Sequence, residues 1–140
     1  MRREDVVGVE VEGQVASIIL ANARQRNPLK ERVLKRLLSN EAAGIFFYPV
    51  PSSNTDYYAT VTEPICLQEI MESARAGGYA TYAAFHAAVE LLISNSYYYN
   101  DDDSMEWIGT CMLRRDLSDV RAELQQAGLA HLVEPALMQP

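Results

Sequence analysis

The chain has 140 residues, of which 49% are hydrophobic and 22% are charged, and its formal net charge is −7. This length and composition favour one globular domain and exclude a disordered chain. No apolar run reaches the ~18 residues that a membrane span needs, so the sequence predicts a soluble protein. The excess of acidic side chains argues against a domain that mainly holds nucleic-acid phosphates, and a basic partner would complement it.

The start of the chain and its cysteines suggest no processing or redox chemistry. No apolar stretch follows the basic residues within positions 1–14, so this segment does not resemble a secretory signal and an intracellular protein is expected. The two cysteines, Cys66 and Cys111, have no Cys or His nearby at metal-ligand spacing. We therefore expect buried free thiols, with no metal site and no cofactor.

The first third of the chain has a helical pattern. Residues 1–13 are weakly patterned and are expected to be irregular, whereas residues 14–26 have the composition of a helix. Asn27 and Pro28 are typical of a helix start, with the proline at the first helical position. Apolar side chains then repeat at helical spacing: Leu29, Val33, Leu37 and Leu38. This spacing predicts an amphipathic helix over residues 28–40.

A long connection follows at residues 44–64, where the helical pattern stops. It contains three prolines and a Ser-Ser-Asn-Thr cluster, together with several aromatic and branched apolar side chains. Long loops in small domains are usually functional or disordered, and this one is too apolar to be disordered. We therefore expect it to be pinned to the body of the protein.

Three further helices are predicted, and no strand alternation or internal repeat competes with them. A short helix over residues 67–75 ends before Gly77. Within residues 79–100 an apolar stripe predicts a helix that is buried on most sides. The residues of this stripe are Tyr82, Phe85, Val89, Leu92, Ile93 and Ser96. Ser104 can cap a last helix, which carries Trp107, Ile108, Cys111, Met112, Val120 and Leu124.

Several ordered segments resemble one family. The "FFYPV" at residues 46–50 is similar to its Phe-x-x-Pro-Val segment, and the "DYY" at residues 56–58 is followed, as in the family, by a proline, Pro64. The "NSYYYN" at residues 95–100 is similar to its Asn-x-x-x-Tyr-Asn helix end. Over residues 28–124 the chain thus resembles the bromodomain, the acetyl-lysine reader of chromatin proteins.

The resemblance implies an all-α fold, a left-handed four-helix bundle of bromodomain type with a long first inter-helix loop and an extra helical segment before it. Residues 1–13 would be an irregular extension, residues 14–127 the bundle with its preceding segment, and residues 128–140 a tail. It implies a non-enzymatic nuclear module whose partners are acetylated histone tails and other subunits of a chromatin complex. Direct nucleic-acid or membrane binding is not expected.

The resemblance also implies roles for particular residues. Asn100 would donate a hydrogen bond from its amide to the acetyl carbonyl, and Tyr57 would reach the same carbonyl through a water molecule. Phe46, Val50 and Tyr99 would form walls of an apolar pocket. Such a pocket favours the neutral acetylated side chain, because the ammonium of unmodified lysine is very costly to desolvate.

The chain departs from the family pattern at three places. Glu106 falls at the position of an apolar or aromatic "gatekeeper", where a carboxylate could repel an apolar ligand or pair with a lysine or arginine beside the acetylated residue. Gly44 and Ile45 stand where many members have Trp-Pro, which leaves Phe46 as the remnant of an aromatic shelf. Cys66 stands where an aspartate commonly begins the next helix.

Alternatives remain open at this stage. The acidic run at residues 101–103 is either a solvated helix-capping loop or a patch that steers basic histone tails. The main alternative to a reader is a degenerate bromodomain, kept as a helical interaction module that does not bind acetyl-lysine. A helical enzyme subunit is a weaker third hypothesis, because no catalytic motif is present in the sequence.

Overall fold

The structure is a computed structural model that describes residues 28–133, and within this range it contains six α-helices, one 3-10 helix and no strand. The elements are α1 Pro28–Leu38, α2 Ala43–Phe46, α3 Thr55–Thr60, α4 Leu67–Arg75, α5 Tyr82–Tyr99, α6 Met105–Gln126 and the 3-10 helix Ala130–Val133. The long helices α1, α4, α5 and α6 form the bundle, which confirms the predicted all-α fold. The predictions for residues 1–27 lie outside the described residues.

Helix α1 is held to the bundle by one apolar face and by ion pairs. Its deeply buried apolar residues are Leu29, Val33, Leu34 and Leu37. The Arg36 guanidinium lies 3.0 Å from the Glu123 carboxylate of α6, and Arg75 of α4 donates two hydrogen bonds, of 3.2 and 2.8 Å, to Glu31. Ion pairs that water can still reach, as here, contribute about 1 kcal/mol or less each, so burial of the apolar face is the larger contribution.

Helix α1 ends at Leu38, two residues before the predicted end, and the Asn40 side chain bonds to partners outside this helix. The Asn40 Nδ2 donates to the Met112 carbonyl at 3.1 Å and to Asp116 Oδ2 at 2.8 Å. Its Oδ1 accepts from the Ala42 N–H at 2.8 Å. One amide thus caps the chain reversal and ties the end of α1 to α6.

The ends of the other long helices follow local sequence signals. Helix α4 ends before Gly77, whose φ of 81° favours glycine, as predicted. Ser104 caps α6 by accepting a hydrogen bond from the Trp107 N–H at 3.1 Å, also as predicted. Thr81 caps α5 in the same way through the Ala84 N–H at 3.1 Å.

The core lies where α5 packs against α4 and α6. All six residues of the predicted α5 stripe are buried. Ile108 of α6, by contrast, is 56% exposed and takes no part in the core.

His86 is fully buried, and its Nδ1 lies 3.2 Å from the Tyr82 hydroxyl. Burial lowers the pKa of this imidazole, so the ring is neutral. None of the described helices is both long and apolar enough to cross a bilayer.

The first inter-helix loop is pinned to the bundle, as the sequence predicts. The Phe47 carbonyl accepts from the Gln68 N–H of α4 at 2.9 Å, and the Asn95 amide of α5 donates to the Glu63 carbonyl at 2.8 Å. The loop contains the short helices α2 and α3, which the hydrophobic pattern did not predict. They give the long connection a definite path over one end of the bundle.

Helix α2 packs directly on α6 at Gly109. A Cβ atom on Gly109 would lie 3.1 Å from Ile45 Cδ1 and 3.3 Å from Phe46 Cε2. These separations are shorter than ordinary van der Waals contacts. The absence of a side chain at Gly109 therefore permits the close approach of α2, and with it the position of Phe46.

Part of the predicted C-terminal tail lies on the bundle. The 3-10 helix Ala130–Val133 contacts both α5 and α6, and Leu129, Leu132 and Val133 pack against the core. The division of the chain into an extension, a bundle and a tail remains a prediction, because residues 134–140 are not described.

Gly109→Val should destabilise the protein by about 1–3 kcal/mol, since overpacking at this contact must displace α2. Thermal or denaturant unfolding measures the effect. Gly44→Ala in α2 is the control, because a Cβ placed there meets no atom within 4 Å beyond its chain neighbours and the backbone of its own helix. Its stability should change by no more than about 1 kcal/mol, or rise slightly. Equal stability of the two variants would contradict the close packing of α2 on α6.

Candidate functional site

A cavity of about 370 Å³ lies at the end of the bundle where the first loop meets the C-terminal end of α5. Its lining comes from the loop with α2 and α3, from the start of α4, from α5 and from the first turn of α6. The six site residues predicted from the sequence all line it: Phe46, Val50, Tyr57, Tyr99, Asn100 and Glu106. Segments far apart in the sequence are therefore brought together as the resemblance implied.

Asn100 stands where α5 ends. Its backbone is extended, with φ −93° and ψ 150°, and its N–H still donates to the Ser96 carbonyl at 3.0 Å. The side-chain Nδ2 donates to the same carbonyl at 3.1 Å and to the Ser96 hydroxyl at 3.0 Å. The half-buried amide is thus held against the helix end, at the edge of the cavity.

Tyr57 is held on two sides. The Asn54 side chain caps α3 by accepting from the Tyr57 N–H at 3.1 Å. The Tyr57 ring packs edge-on against Tyr99, with ring centroids 4.9 Å apart, and the Tyr99 hydroxyl donates to Asp56 at 3.1 Å. Helix α3 is therefore fastened to the end of α5. Burial raises the pKa of the Tyr57 phenol, so its hydroxyl stays protonated and can donate.

The remaining walls are apolar and are placed by the loop. Phe46 lies at the end of α2, next to Gly109, and lines the cavity together with Val50. The Tyr58 hydroxyl donates to the Val50 carbonyl, which ties α3 to the preceding loop. Val50 is thereby held on the cavity wall by contacts within the loop itself.

The charge of the lining is negative. The described lining residues include two carboxylates, Glu69 and Glu106, and no cationic side chain. Glu69 accepts from the Cys66 N–H at 3.2 Å and so caps α4, which compensates for the aspartate that is missing at Cys66. Glu106 is exposed and forms no ion pair within residues 28–133. Residues 101–103 add three exposed carboxylates beside Asn100.

Several residues that line the cavity were not predicted from the sequence, although the sequence contained one signal for them. Leu92 and Ser96 precede Asn100 by eight and four positions on α5, a spacing that puts all three on one helix face. Both were assigned to the core alone. Cys66 also lines the cavity, and burial raises the pKa of its thiol, so it is a neutral wall and not a reactive thiolate.

Two neighbouring tyrosines, Tyr97 and Tyr98, do not line the cavity. Tyr97 packs against Trp107, with ring centroids 4.6 Å apart, and its hydroxyl bonds to the Cys111 sulfur at 3.3 Å. Tyr98 is 74% exposed. The tyrosine run thus divides into one packing residue, one surface residue and one cavity residue, Tyr99.

The described part of the chain holds no group of three or more His, Cys, Asp or Glu side chains placed to bind a metal ion. Both cysteines are free thiols. The side chains that line the cavity include an amide, phenols and carboxylates among apolar walls. This combination is typical of a pocket that binds a small polar group.

Sequence comparison assigns the family. A sequence model of the bromodomain matches residues 30–110, more than half of the chain. This chain belongs to the bromodomain family. It is 27% identical over 105 residues to the chromatin structure-remodeling complex subunit RSC1 of Saccharomyces cerevisiae, and 27% identical over 93 residues to the SWI/SNF chromatin-remodeling complex subunit snf22 of Schizosaccharomyces pombe. The alignments cover 73% and 65% of this chain but only 11% and 6% of those proteins.

Structural comparison agrees with this assignment. The bromodomain of human BAZ1A superposes with a TM-score of 0.63 at 25% sequence identity, over 71% of this chain and 92% of that chain. The family and the helical bundle expected from the sequence motifs are thus confirmed. The roles of the six site residues stay predictions.

Asn54→Ala should loosen α3 and free Tyr57, because loss of an N-cap costs about 1 kcal/mol. Amide hydrogen exchange should become faster at Tyr57, whose N–H the cap binds. Thr81→Ala removes the cap of α5 and is the matched control, which should leave exchange at Tyr57 unchanged. Unchanged exchange at Tyr57 in Asn54→Ala would contradict the positioning role of Asn54.

Proposed function

We propose that this bromodomain binds acetyl-lysine on histone tails. The observation that carries the proposal is the convergence of Asn100, Tyr57 and three apolar or aromatic wall residues on one cavity. Asn100 supplies an amide at the end of α5, and Phe46, Val50 and Tyr99 supply the walls. This combination suits a neutral amide on an apolar stem, which is the chemical form of an acetylated lysine.

Selection against unmodified lysine follows from desolvation. An ammonium entering among apolar walls loses its hydration, whereas the acetyl amide is neutral and costs far less to bury. Glu69, the lining carboxylate at the start of α4, already accepts a hydrogen bond from Cys66. The remaining lining carboxylate, Glu106, is exposed to water, so it offers little compensation for a buried ammonium.

Tyr57 would act through a water molecule. Its ring is buried against Tyr99, and its phenol is held protonated by burial. Among the described residues, none forms a hydrogen bond with the Tyr57 hydroxyl, so this group is available to a bridging water. A water-mediated bond to the acetyl carbonyl can approach a direct one in enthalpy.

The carboxylates at the entrance of the cavity would favour the binding of positively charged histone tails. Residues 101–103 and Glu106 lie next to Asn100, and the whole chain carries a net charge of −7. A negative surface raises the rate at which positively charged peptides associate with the protein. This effect becomes weaker as the salt concentration increases. Affinity for one acetyl-lysine should still be modest, since few hydrogen bonds form, and a second contact or module would raise it.

The cellular setting is inferred from the relatives. RSC1 and snf22 are named as subunits of chromatin-remodeling complexes. We infer a nuclear protein that acts with other subunits of a chromatin complex and has a reader role without catalysis of its own.

The second candidate function is a helical interaction module that does not bind acetyl-lysine. Glu106 favours this alternative, because it puts an unpaired carboxylate beside apolar walls at the gatekeeper position. An array of acetylated histone peptides separates the two functions. The reader function predicts binding to a subset of the acetylated peptides and to none of the unmodified ones. If the folded protein binds no peptide on the array, the reader function is wrong and the interaction module is the remaining candidate.

Asn100→Ala should weaken binding of an acetylated peptide by at least about tenfold, because an unsatisfied acetyl carbonyl in the pocket costs about 1–3 kcal/mol. The fold should persist, since Asn100 is at the helix end and not in the core. Isothermal titration measures affinity and circular dichroism measures the fold. Tyr98→Ala, at an exposed position outside the cavity, is the control and should bind the peptide as tightly as the protein without substitution. Equal affinity of Asn100→Ala and Tyr98→Ala would refute the role of Asn100.

Glu106→Val should strengthen binding to a peptide whose single acetyl-lysine has no basic neighbours, because it removes a carboxylate from an apolar rim. Asp102→Val changes the charge equally at an exposed position that does not line the cavity. This control should lower the rate of association with basic peptides without strengthening the bound state. Equal or weaker binding by Glu106→Val would show that the carboxylate does not obstruct the pocket.

A further inference from the structure

Two buried hydroxyl groups connect the Asn100 amide to the first turn of α6. Ser96 is 7% exposed and Thr110 is fully buried, so neither hydroxyl is solvated. Their oxygens are 2.6 Å apart, and the Thr110 Oγ1 is also 2.6 Å from the main-chain carbonyl of Glu106. A continuous line of hydrogen bonds therefore runs from Asn100 through Ser96 and Thr110 to Glu106.

The direction of each bond in this line follows from counting protons. A hydroxyl has one proton to donate, and a carbonyl oxygen only accepts. Thr110 therefore gives its proton to the Glu106 carbonyl, and Ser96 must give its proton to Thr110. Only lone pairs of the Ser96 hydroxyl remain for Asn100, so the Asn100 atom that lies 3.0 Å away must be the amide nitrogen.

A second acceptor imposes the same orientation. The Ser96 main-chain carbonyl lies 3.1 Å from the same side-chain nitrogen. If the amide were turned by half a rotation, its oxygen would face a carbonyl oxygen and a hydroxyl that has no proton to offer. Both contacts would then be repulsive, and the buried hydroxyl would lose a partner.

We propose that Ser96 and Thr110 are positioning residues that orient the Asn100 amide for the acetyl carbonyl. This inference rests on the proposed acetyl-lysine function. An amide nitrogen has two hydrogens, and when the two Ser96 oxygens share one of them in a three-centre bond, the other is presented to a ligand. Loss of the Thr110 hydroxyl frees the Ser96 proton, which can then be donated to the oxygen of an inverted Asn100, so that only the Ser96 main-chain carbonyl still opposes inversion. An inverted amide presents its oxygen to the acetyl oxygen and forms no bond.

The same line of bonds also joins the two ends of the site. Asn100 ends α5, and Glu106 lies in the first turn of α6. Ser96 and Thr110 link these turns inside the bundle, so the Asn100 amide and the main-chain carbonyl of Glu106 belong to one network. Buried hydroxyls in helices require partners, and here each hydroxyl has a partner on both sides.

The orientation is tested first in protein without ligand. Thr110→Val keeps the side-chain shape and removes the hydroxyl, whereas Thr110→Ser keeps the hydroxyl. In protein labelled with ¹⁵N-asparagine, the Asn100 side-chain amide protons should exchange with water at least about threefold faster in Thr110→Val, and close to the unmodified rate in Thr110→Ser. Equal exchange in all three proteins would overturn the proposal.

The consequence for binding is tested with a synthetic peptide that has one acetyl-lysine between glycines. Thr110→Val should bind about three- to tenfold more weakly, the loss expected for one hydrogen bond, and Thr110→Ser should retain affinity within about twofold. Unchanged affinity of Thr110→Val, despite faster amide exchange, would refute the positioning role.

Two further outcomes keep the inference separate from the proposed function. Should Thr110→Val fail to fold, Ser96→Ala interrupts the line at its other hydroxyl and is measured in the same way. If neither the starting protein nor any variant binds the peptide, but amide exchange changes as expected, the proposed acetyl-lysine function is wrong. The orientation of Asn100 by the two hydroxyls is then still supported.

Discussion

The candidate site depends on how helix α5 ends. Asn100 leaves the helix with an extended backbone, and both its main-chain and side-chain nitrogens bond to Ser96 one turn earlier. This double attachment stops the helix and holds the amide at a fixed position at the cavity edge. Because the next helix begins only at Met105, the acidic turn between them is held next to the amide.

The first inter-helix loop is arranged around this helix end. Asn95 binds the loop at Glu63, and Tyr99 packs against Tyr57 and bonds to Asp56. These contacts come from the last turns of α5. On the opposite side, Gly109 lets α2 approach α6 closely enough to place Phe46. The end of the bundle thus fixes the path of a loop that alone would have many conformations.

Much of this arrangement could be predicted from local sequence. The α5 stripe, the Ser104 cap and the Gly77 stop are local signals, and each acts within one helical turn. The motif segments also placed six residues around one cavity. The short helices α2 and α3 could not be predicted in this way, because four and six residues show no reliable periodicity and their stability comes from contacts with the bundle.

Other features depend on contacts between distant segments. The role of Gly109 appears only when Ile45 and Phe46 lie over it, and the bond between Ser96 and Thr110 appears only when α5 and α6 pack together. In the sequence, Ser96 is one more residue of an apolar stripe. Glu69 likewise compensates for the missing aspartate at Cys66 through a bond that the substitution alone did not indicate.

The most direct test of the account is a nuclear magnetic resonance titration of the labelled protein with one histone-tail peptide in acetylated and unmodified forms. The acetylated form should shift the signals of the Asn100 side-chain amide, Tyr57 and Val50, whereas the unmodified form should leave these signals in place. Equal shifts with both forms, or shifts confined to residues that do not line the cavity, would contradict it.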